Sequence, residues 1–424
     1  MANYLIRGAR VMDPSSGFNA VADVLMENGV IAAVGENLAA GDAIVMDGAG
    51  LIAAPGLVDL HVHLRDPGQT HKEDVFTGCR AAAAGGVTSV FAMPNTTPAL
   101  DSPEVIKALL DKAATADAHV YPVGAVTKGL KGEELTDVSA LKAAGAAAFS
   151  DDGRPILTAD QVERSLKAAH AEGALLMAHC EELSLVRGGL MNEGDVSREI
   201  GVRGVTRSAE EVGTAREIAL AAATGCPVHI CHVSTAYSVQ LIRDAQKNGI
   251  KVTGETAPHY IALTDEALRA KDADYRMSPP LRTKADQLAL IEGLKDGTLC
   301  AIATDHAPHT PEEKAVFETA PNGSVGMETS LAACLTYLVH AGHLSMMELL
   351  RAMSTAPAML TGIPAGTLAV GAPADLVLFD PEEEWTVDAD ALHGKSKNCP
   401  FKGMTLKGRV KKTFCGGRLV YDAD

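Results

Sequence analysis

Eight stretches of this 424-residue chain are apolar almost from end to end instead of alternating. They are GLVDLHVH (56–63), GVTSVFAMPN (86–95), AHVYPVGAVT (118–127), GAAAFSDD (145–152), ALLMAHCE (174–181), PVHICHVS (227–234), KVTGETAPH (251–259) and LCAIATDH (299–306). A strand buried on one face alternates; a strand buried on both faces, as in a parallel sheet covered by helices, does not. Most of the stretches are separated by Ala-, Glu- and Lys-rich sequence with helical character. Eight such units predict an α/β fold, a (β/α)8 TIM-like barrel, over residues 53–365. The two chain ends read differently. Residues 1–52 and 366–424 carry short alternating strands broken by Gly, Asn and Asp, which predict hairpins. Chain termini often lie close together, so the ends are expected to pair into one composite β-sandwich domain.

Composition supports this division and narrows the function. Hydrophobic residues make up 47% of the chain and aromatics only 4%, with 40 glycines, which suits helices packed closely on a sheet. The formal net charge of −17 argues against a nucleic-acid partner, which requires a basic face. No apolar run reaches the roughly 18 residues of a membrane span, and the N-terminus MANYLIRGARVMDPSSG has no export signal. The 8 cysteines form no CxxC pair and read as reduced core residues, so a cytoplasmic protein is expected.

Chemistry concentrates where the apolar stretches end. In DLHVHLRDP (59–67), His61, His63 and Arg65 recur at every second position, which on a strand places them on one face. Two imidazoles there can bind a metal, and the guanidinium beyond them can hold an anion. The other stretches end in Asn95, in Asp151 and Asp152, and in His179, His232, His259 and Asp305. In a barrel all these C-terminal ends meet on the face that carries the active site. Imidazoles and carboxylates without a thiolate cluster suit Zn²⁺ ahead of Mn²⁺ or Fe²⁺, and the set exceeds the three protein ligands of one catalytic zinc, which points to two ions.

These segments together resemble the dihydroorotase class of the amidohydrolase superfamily. DLHVHLRDP (59–67) and ATDHAPHTPEEK (303–314) are similar to its two hallmark segments. MPNTTPALDSPE (93–104), TKGLKGEELTD (127–137), FSDDG (149–153), MAHCE (177–181), ICHVST (230–235), PPLR (279–282) and PADLVLFDP (373–381) extend the match over the barrel and into the C-terminal strands. The resemblance implies the reversible cyclisation of N-carbamoyl-L-aspartate to (S)-dihydroorotate and water, a step of pyrimidine biosynthesis, by a hydroxide bridging two metals. It implies His61 and His63 on one metal, His179 and His232 on the other, and Asp305 as both metal ligand and general acid/base. It places Arg65 on the substrate carboxylate, with Asn95 and His309 also binding substrate. An aspartate, rather than the carboxylated lysine of hydantoinases, is expected as the bridge. Analogy favours Asp152, while spacing alone does not separate it from Asp151. Ser278 stands where the family often has asparagine, which leaves a shorter substrate contact, and Gly323 in the Gly-rich loop 321–330 is a candidate backbone donor. The resemblance further implies a homodimer and an association with aspartate carbamoyltransferase. Other readings are a dihydropyrimidinase, an allantoinase, or a scaffold subunit of that transcarbamoylase.

The remaining imidazoles carry no assigned role. His71, His119, His170, His340, His343 and His393 read as lying in helices or loops away from strand ends. His229 is expected on the strand face opposite His232, and His306 beside Asp305 is expected to point away. His259 is left without a metal role. Lys128 and Lys131 read as solvated, and Cys180 as a packed small residue.

Overall fold

The structure is a computed structural model that describes residues 2–423. Eight parallel strands form the barrel in chain order: Leu57–Val62, Val87–Ala92, His119–Ala125, Ala148–Ser150, Leu176–Ala178, Val228–Ile230, Val252–Thr256 and Ala301–Ile302. The seam between the last and the first is closed by a parallel bridge from Val62 to His306. Every apolar stretch read from the sequence becomes a strand. Each strand is shorter than its stretch, and the polar residues at the stretch ends mostly lie in the loops just beyond it.

Helices follow the strands as the pattern predicts, among them Val75–Ala84, Pro103–Ala113, Ala159–Ala171, Ser208–Thr224, Ala236–Lys247 and Lys284–Lys295. Their starts are set by side chains that accept from otherwise unpaired N–H groups. Asp74 caps the first, Ser102 the second, Thr158 the third and Thr235 the fifth. Alternation along the strands divides the core. Val90, Phe149, Leu176, Val228 and Ile230 belong to the large cluster that includes the helix faces. Phe91, Val123, Ala148, Met177 and Ala301 form a separate cluster from the other face of the same strands.

The chain ends build one mixed eight-stranded sheet, which corresponds to the small sandwich domain expected. Strand Tyr4–Asp13 pairs antiparallel with Phe18–Glu27, which turns into Val30–Gly35 at Asn28-Gly29, both with positive φ. This is the turn chemistry that a two-residue hairpin demands. The C-terminal strands Leu376–Thr386, Thr405–Cys415 and Arg418–Asp422 join through Ile52–Pro55, which pairs with both ends of the chain. Among the described residues no helix is long and apolar enough to cross a membrane.

His119 opens the third barrel strand instead of lying in a helix or loop, so it sits at the end of the barrel away from the polar strand ends. Its Nε2 is 3.1 Å from Asp375 Oδ1, just before the C-terminal strand Leu376–Thr386, and ties barrel to sheet. The hydrogen bond to Asp375 pushes the imidazole pKa up to about 10. A histidine raised above its unfolded value of about 6.5 stabilises fully below that pH and loses the contribution as pH rises toward 10. The side chain is partly solvent-facing, so the effect is small. We expect His119→Gln to lower the melting temperature at pH 6 by no more than about 2 °C, with the difference shrinking by pH 10, as read by thermal melts across that range.

Candidate metal centre and active site

The end of the first strand, which carries His61, and the loops just beyond the strands bring His61, His63, Asp152, His179, His232 and Asp305 into one buried cluster. Asp152 stands in its middle. Its Oδ1 lies 3.2 Å from His61 Nε2, 3.4 Å from His179 Nδ1 and 3.6 Å from His232 Nε2, while its Oδ2 lies 3.5 Å from His63 Nε2. Asp305 Oδ1 completes the other side, 3.1 Å from His63 Nε2 and 3.6 Å from His61 Nε2. His179 Nδ1 and His232 Nε2 are 2.8 Å apart. Two groups of donors thus lie side by side with one carboxylate facing both.

Electrostatics match this crowding. Burial alone would raise the carboxyls of Asp152 and Asp305, but the imidazoles around them outweigh it and hold both well below the usual carboxylate range. His61 Nε2, Asp152 Oδ1 and His232 Nδ1 are buried with no hydrogen-bond partner. Native proteins rarely leave such atoms unsatisfied, and an ion is one of the explanations that restores the balance. Nitrogen and oxygen donors converging within one cation's reach fit a divalent metal of the zinc type. His63 is oriented for this by its other nitrogen, whose proton goes to Asn95 Oδ1 at 2.8 Å.

A cavity of about 310 Å³ opens above the cluster. All five residues expected to contact substrate line it: Arg65, Asn95, Ser278, His309 and Gly323. Three arrive there differently from the expectation. Arg65 does not share a strand face with His61 and His63, because the strand ends at Val62 and Arg65 turns back with φ of +59°. Ser278 Oγ is spent on Glu181 Oε1 at 3.3 Å. Gly323 offers no donor: its N–H goes to Arg276 O, and a Cβ there would lie 2.7 Å from Ala307 Cβ and 3.1 Å from His309 Nε2. What the position supplies is room.

Arg65 is almost wholly buried, and burial pushes its pKa down to about 10, so it stays charged at neutral pH. Its Nε donates to Pro308 O, and among the described residues no carboxylate lies within 4 Å of it. His309 Nε2 lies 2.9 Å from Asn322 O and its Nδ1 3.4 Å from Lys72 Nζ, a pairing that suits the neutral ring. Burial, reinforced by Arg65 and Lys72, pushes the His309 pKa down to about 3.

The structure also separates residues the sequence left open. Asp151 accepts from the N–H groups of Val126 and Thr127 and from the Thr127 hydroxyl, so it is committed to a loop. His259 sits in the short helix Pro258–Ala262 against Tyr260, outside the cavity lining. His306 is turned away, its Nδ1 accepting from Gly326 N–H. His229 is not isolated from the cluster as strand alternation suggested. The strand ends at Ile230 and His232 has φ of +37°, so the two-residue period does not carry through to it. Sequence reasoning missed Glu181, two residues beyond His179 and part of the lining, and Glu255, whose Oε1 lies 3.4 Å from His61 Nδ1.

Comparison with known proteins agrees with this geometry. The amidohydrolase family model matches residues 52–420. The chain belongs to the amidohydrolase family. It is 50% identical over 424 residues to a dihydroorotase of Citrifermentans bemidjiense, covering 99% of this chain and all of that protein. A dihydroorotase of Acetivibrio thermocellus is 46% identical, with 98% of each chain covered. Among solved structures, an L-hydantoinase from Arthrobacter aurescens superposes with a TM-score of 0.88 at 25% identity, over 100% of this chain and 96% of that one. A dihydropyrimidinase from Brevibacillus agri gives 0.86 at 29%, over 99% and 95%.

The adjacent aspartates of this amidohydrolase should separate cleanly in experiment. We expect Asp151→Ala to cost roughly 1–3 kcal/mol of stability, from unsatisfied buried donors, and so to lower the melting temperature, while metal content per folded chain stays the same. Asp152→Asn should do the reverse, with metal content falling. Metal analysis beside thermal melts decides between them.

Proposed function

We propose that this amidohydrolase is a dihydroorotase, catalysing the reversible cyclisation of N-carbamoyl-L-aspartate to (S)-dihydroorotate and water. The observation that carries the reading is Arg65, a buried guanidinium with no carboxylate of its own, facing a cavity whose floor is the histidine and aspartate cluster. Such a charge calls for an anionic substrate. Dihydroorotate carries a carboxylate beside its ring amide, whereas dihydrouracil and allantoin carry none. Identity points the same way, 46–50% to dihydroorotases against 25–30% to the hydantoinase-type structures. Among the residues lining the cavity there is no lysine, which favours Asp152 as the bridging carboxylate over a carboxylated lysine.

Two zinc ions fit the donor set, His61, His63 and Asp305 on one side, His179 and His232 on the other, with Asp152 between. When bound, they would polarise the amide carbonyl and lower the pKa of a water. The chain's own residues do the rest. Arg65 presents a planar fork to the carboxylate and fixes the ring's orientation over the cluster. Asn95 and the neutral His309 stand beside it as polar partners that add no charge. In hydrolysis Asp305, held ionised by its neighbours, accepts the proton of the attacking water and returns it to the departing ring nitrogen. In synthesis the same carboxylate takes the proton from the ureido nitrogen.

One metal-analysed preparation assayed with dihydroorotate, dihydrouracil and allantoin tests the reading. Dihydroorotate should be turned over well above the others; a preference for dihydrouracil would replace the proposal with a dihydropyrimidinase. Asp305→Asn should lower kcat by roughly 10²–10⁴-fold, the size of a general acid–base contribution. Arg65→Lys should raise KM for dihydroorotate by roughly 10-fold or more, since the paired hydrogen bonds are lost. An unchanged KM in that variant would remove Arg65 from the substrate site.

A further inference from the structure

Behind His61, on the side away from the cavity, lies a second line of polar groups that the reaction does not use. Glu255, on the strand Val252–Thr256, has no solvent exposure. Its Oε1 is 3.4 Å from His61 Nδ1 and its Oε2 is 3.2 Å from His229 Nε2. His229 has no exposure either, and its Nδ1 is 2.8 Å from Thr253 Oγ1. Among the described residues no lysine or arginine lies within 4 Å of Glu255. Thr253, His229, Glu255 and His61 therefore form one chain through the barrel interior, ending at the cluster.

A carboxylate buried this deeply is expensive unless donors surround it. Here the groups facing it are two imidazoles, at ion-pair distance from its two oxygens though outside hydrogen-bond geometry, and small ring rotations bring them into line. If the Thr253 hydroxyl donates to His229 Nδ1, the His229 proton sits on Nε2 and points at Glu255. The other Glu255 oxygen then takes the proton on His61 Nδ1. That fixes the His61 tautomer and leaves its Nε2 lone pair aimed at the gap between Asp152 and Asp305, where it is buried and unpartnered. A metal-bound histidine commonly gives its second N–H to a carboxylate, which sets the ring and raises its basicity.

We propose that Glu255 is a positioning residue for the metal ligand His61, with His229 holding Glu255 in turn. The inference rests on the two-metal reading of the site and adds the residues that tune one of the two ions. His63 is served differently, by the neutral amide of Asn95. The two histidines of the HxH pair thus face unlike partners, a carboxylate and an amide, and only His61 gains basicity from a negative charge.

The test is metal affinity, measured on the full chain by chelator competition, with metal content and the visible spectrum of the cobalt-substituted protein alongside. Glu255→Gln keeps the shape and removes the charge. The expected result is a roughly 10–100-fold weaker affinity for one of the two ions, an altered cobalt spectrum, and a second ion held as in the wild type. His229→Asn should shift the same ion in the same direction by less. Should Glu255→Gln fail to fold, His229→Asn carries the comparison with the same expectation. Wild-type affinity for both ions in a folded variant overturns the proposal while leaving the site reading intact. A wild-type protein that takes up no metal overturns both.

Discussion

The barrel closes on Asp59, and the site depends on that closure. Its carboxylate is buried in the first strand, where Oδ1 accepts from the N–H of His61 and of Thr304 and Oδ2 accepts from the Thr304 hydroxyl at 2.6 Å. Burial pushes its pKa up to about 6 even so, against the lowering effect of those hydrogen bonds. Two of these donors, the Thr304 N–H and hydroxyl, come from the segment just past the last strand, and they bind it to the first alongside the ladder bridge at Val62. The consequence is direct. His61 and His63 come from one end of the barrel sequence and Asp305 from the other. Only a closed seam sets His63 Nε2 3.1 Å from Asp305 Oδ1.

Closure alone does not aim the side chains. Of the eight described non-glycine residues with positive φ, three are Arg65, His232 and Asp305. A left-handed backbone at such residues costs of order 1–3 kcal/mol each and persists only where the surroundings impose it. The surroundings here are identifiable. The Arg65 carbonyl accepts from Gln69 N–H, Val233 N–H beside His232 goes to Glu255 O, and Thr304 before Asp305 is held by Asp59. Each of the three lies just past the end of its strand, where the chain would otherwise carry its side chain onward along the strand direction. The left-handed residue turns it back over the barrel mouth. Strain is placed where aim matters.

This is also why the sequence told so much and then stopped. Strand period and uniform apolarity depend on local composition, so the barrel and its eight strand ends were legible, and with them His61, His63, His179, His232, Asp305 and the pair Asp151 and Asp152, between which only the resemblance chose. Alternation failed one residue past the strands. It carried Arg65 to the right cavity by the wrong route, and it set His229 apart from His232 although both lie close to His61, directly or through Glu255. Glu255 and Asp59 sit inside strands with no motif to mark them, and their roles follow from partners far away in sequence. Gly323 was read as a donor because glycine-rich loops often expose N–H groups, yet its own is taken by Arg276 O. The choice between Asp151 and Asp152 needed only the knowledge that Thr127 was near, which no spacing within FSDDG contains.

The composite domain has a part in the site as well. Between the strands Leu376–Thr386 and Thr405–Cys415 the chain leaves the sheet and returns over the barrel mouth. There Asn398 Oδ1 accepts from His309 N–H, its Nδ2 donates to Ala307 O and Gly323 O, and its carbonyl takes Val325 N–H. From below, Lys314 donates to Pro321 O and to the same Gly323 O. The two loops that form this wall of the cavity, 303–309 and 321–326, bond to one another through Ala307 N–H to Ser324 O, Gly326 N–H to His306 Nδ1 and His309 Nε2 to Asn322 O. Both are also held to a common side chain from the far end of the sequence, and the second loop to a buried ammonium whose pKa burial pushes down to about 8. A domain assembled from both termini therefore does more than cover an edge of the barrel. It fixes the distance between His309 and Gly323, and with it the width of the space in which an anion can meet Arg65.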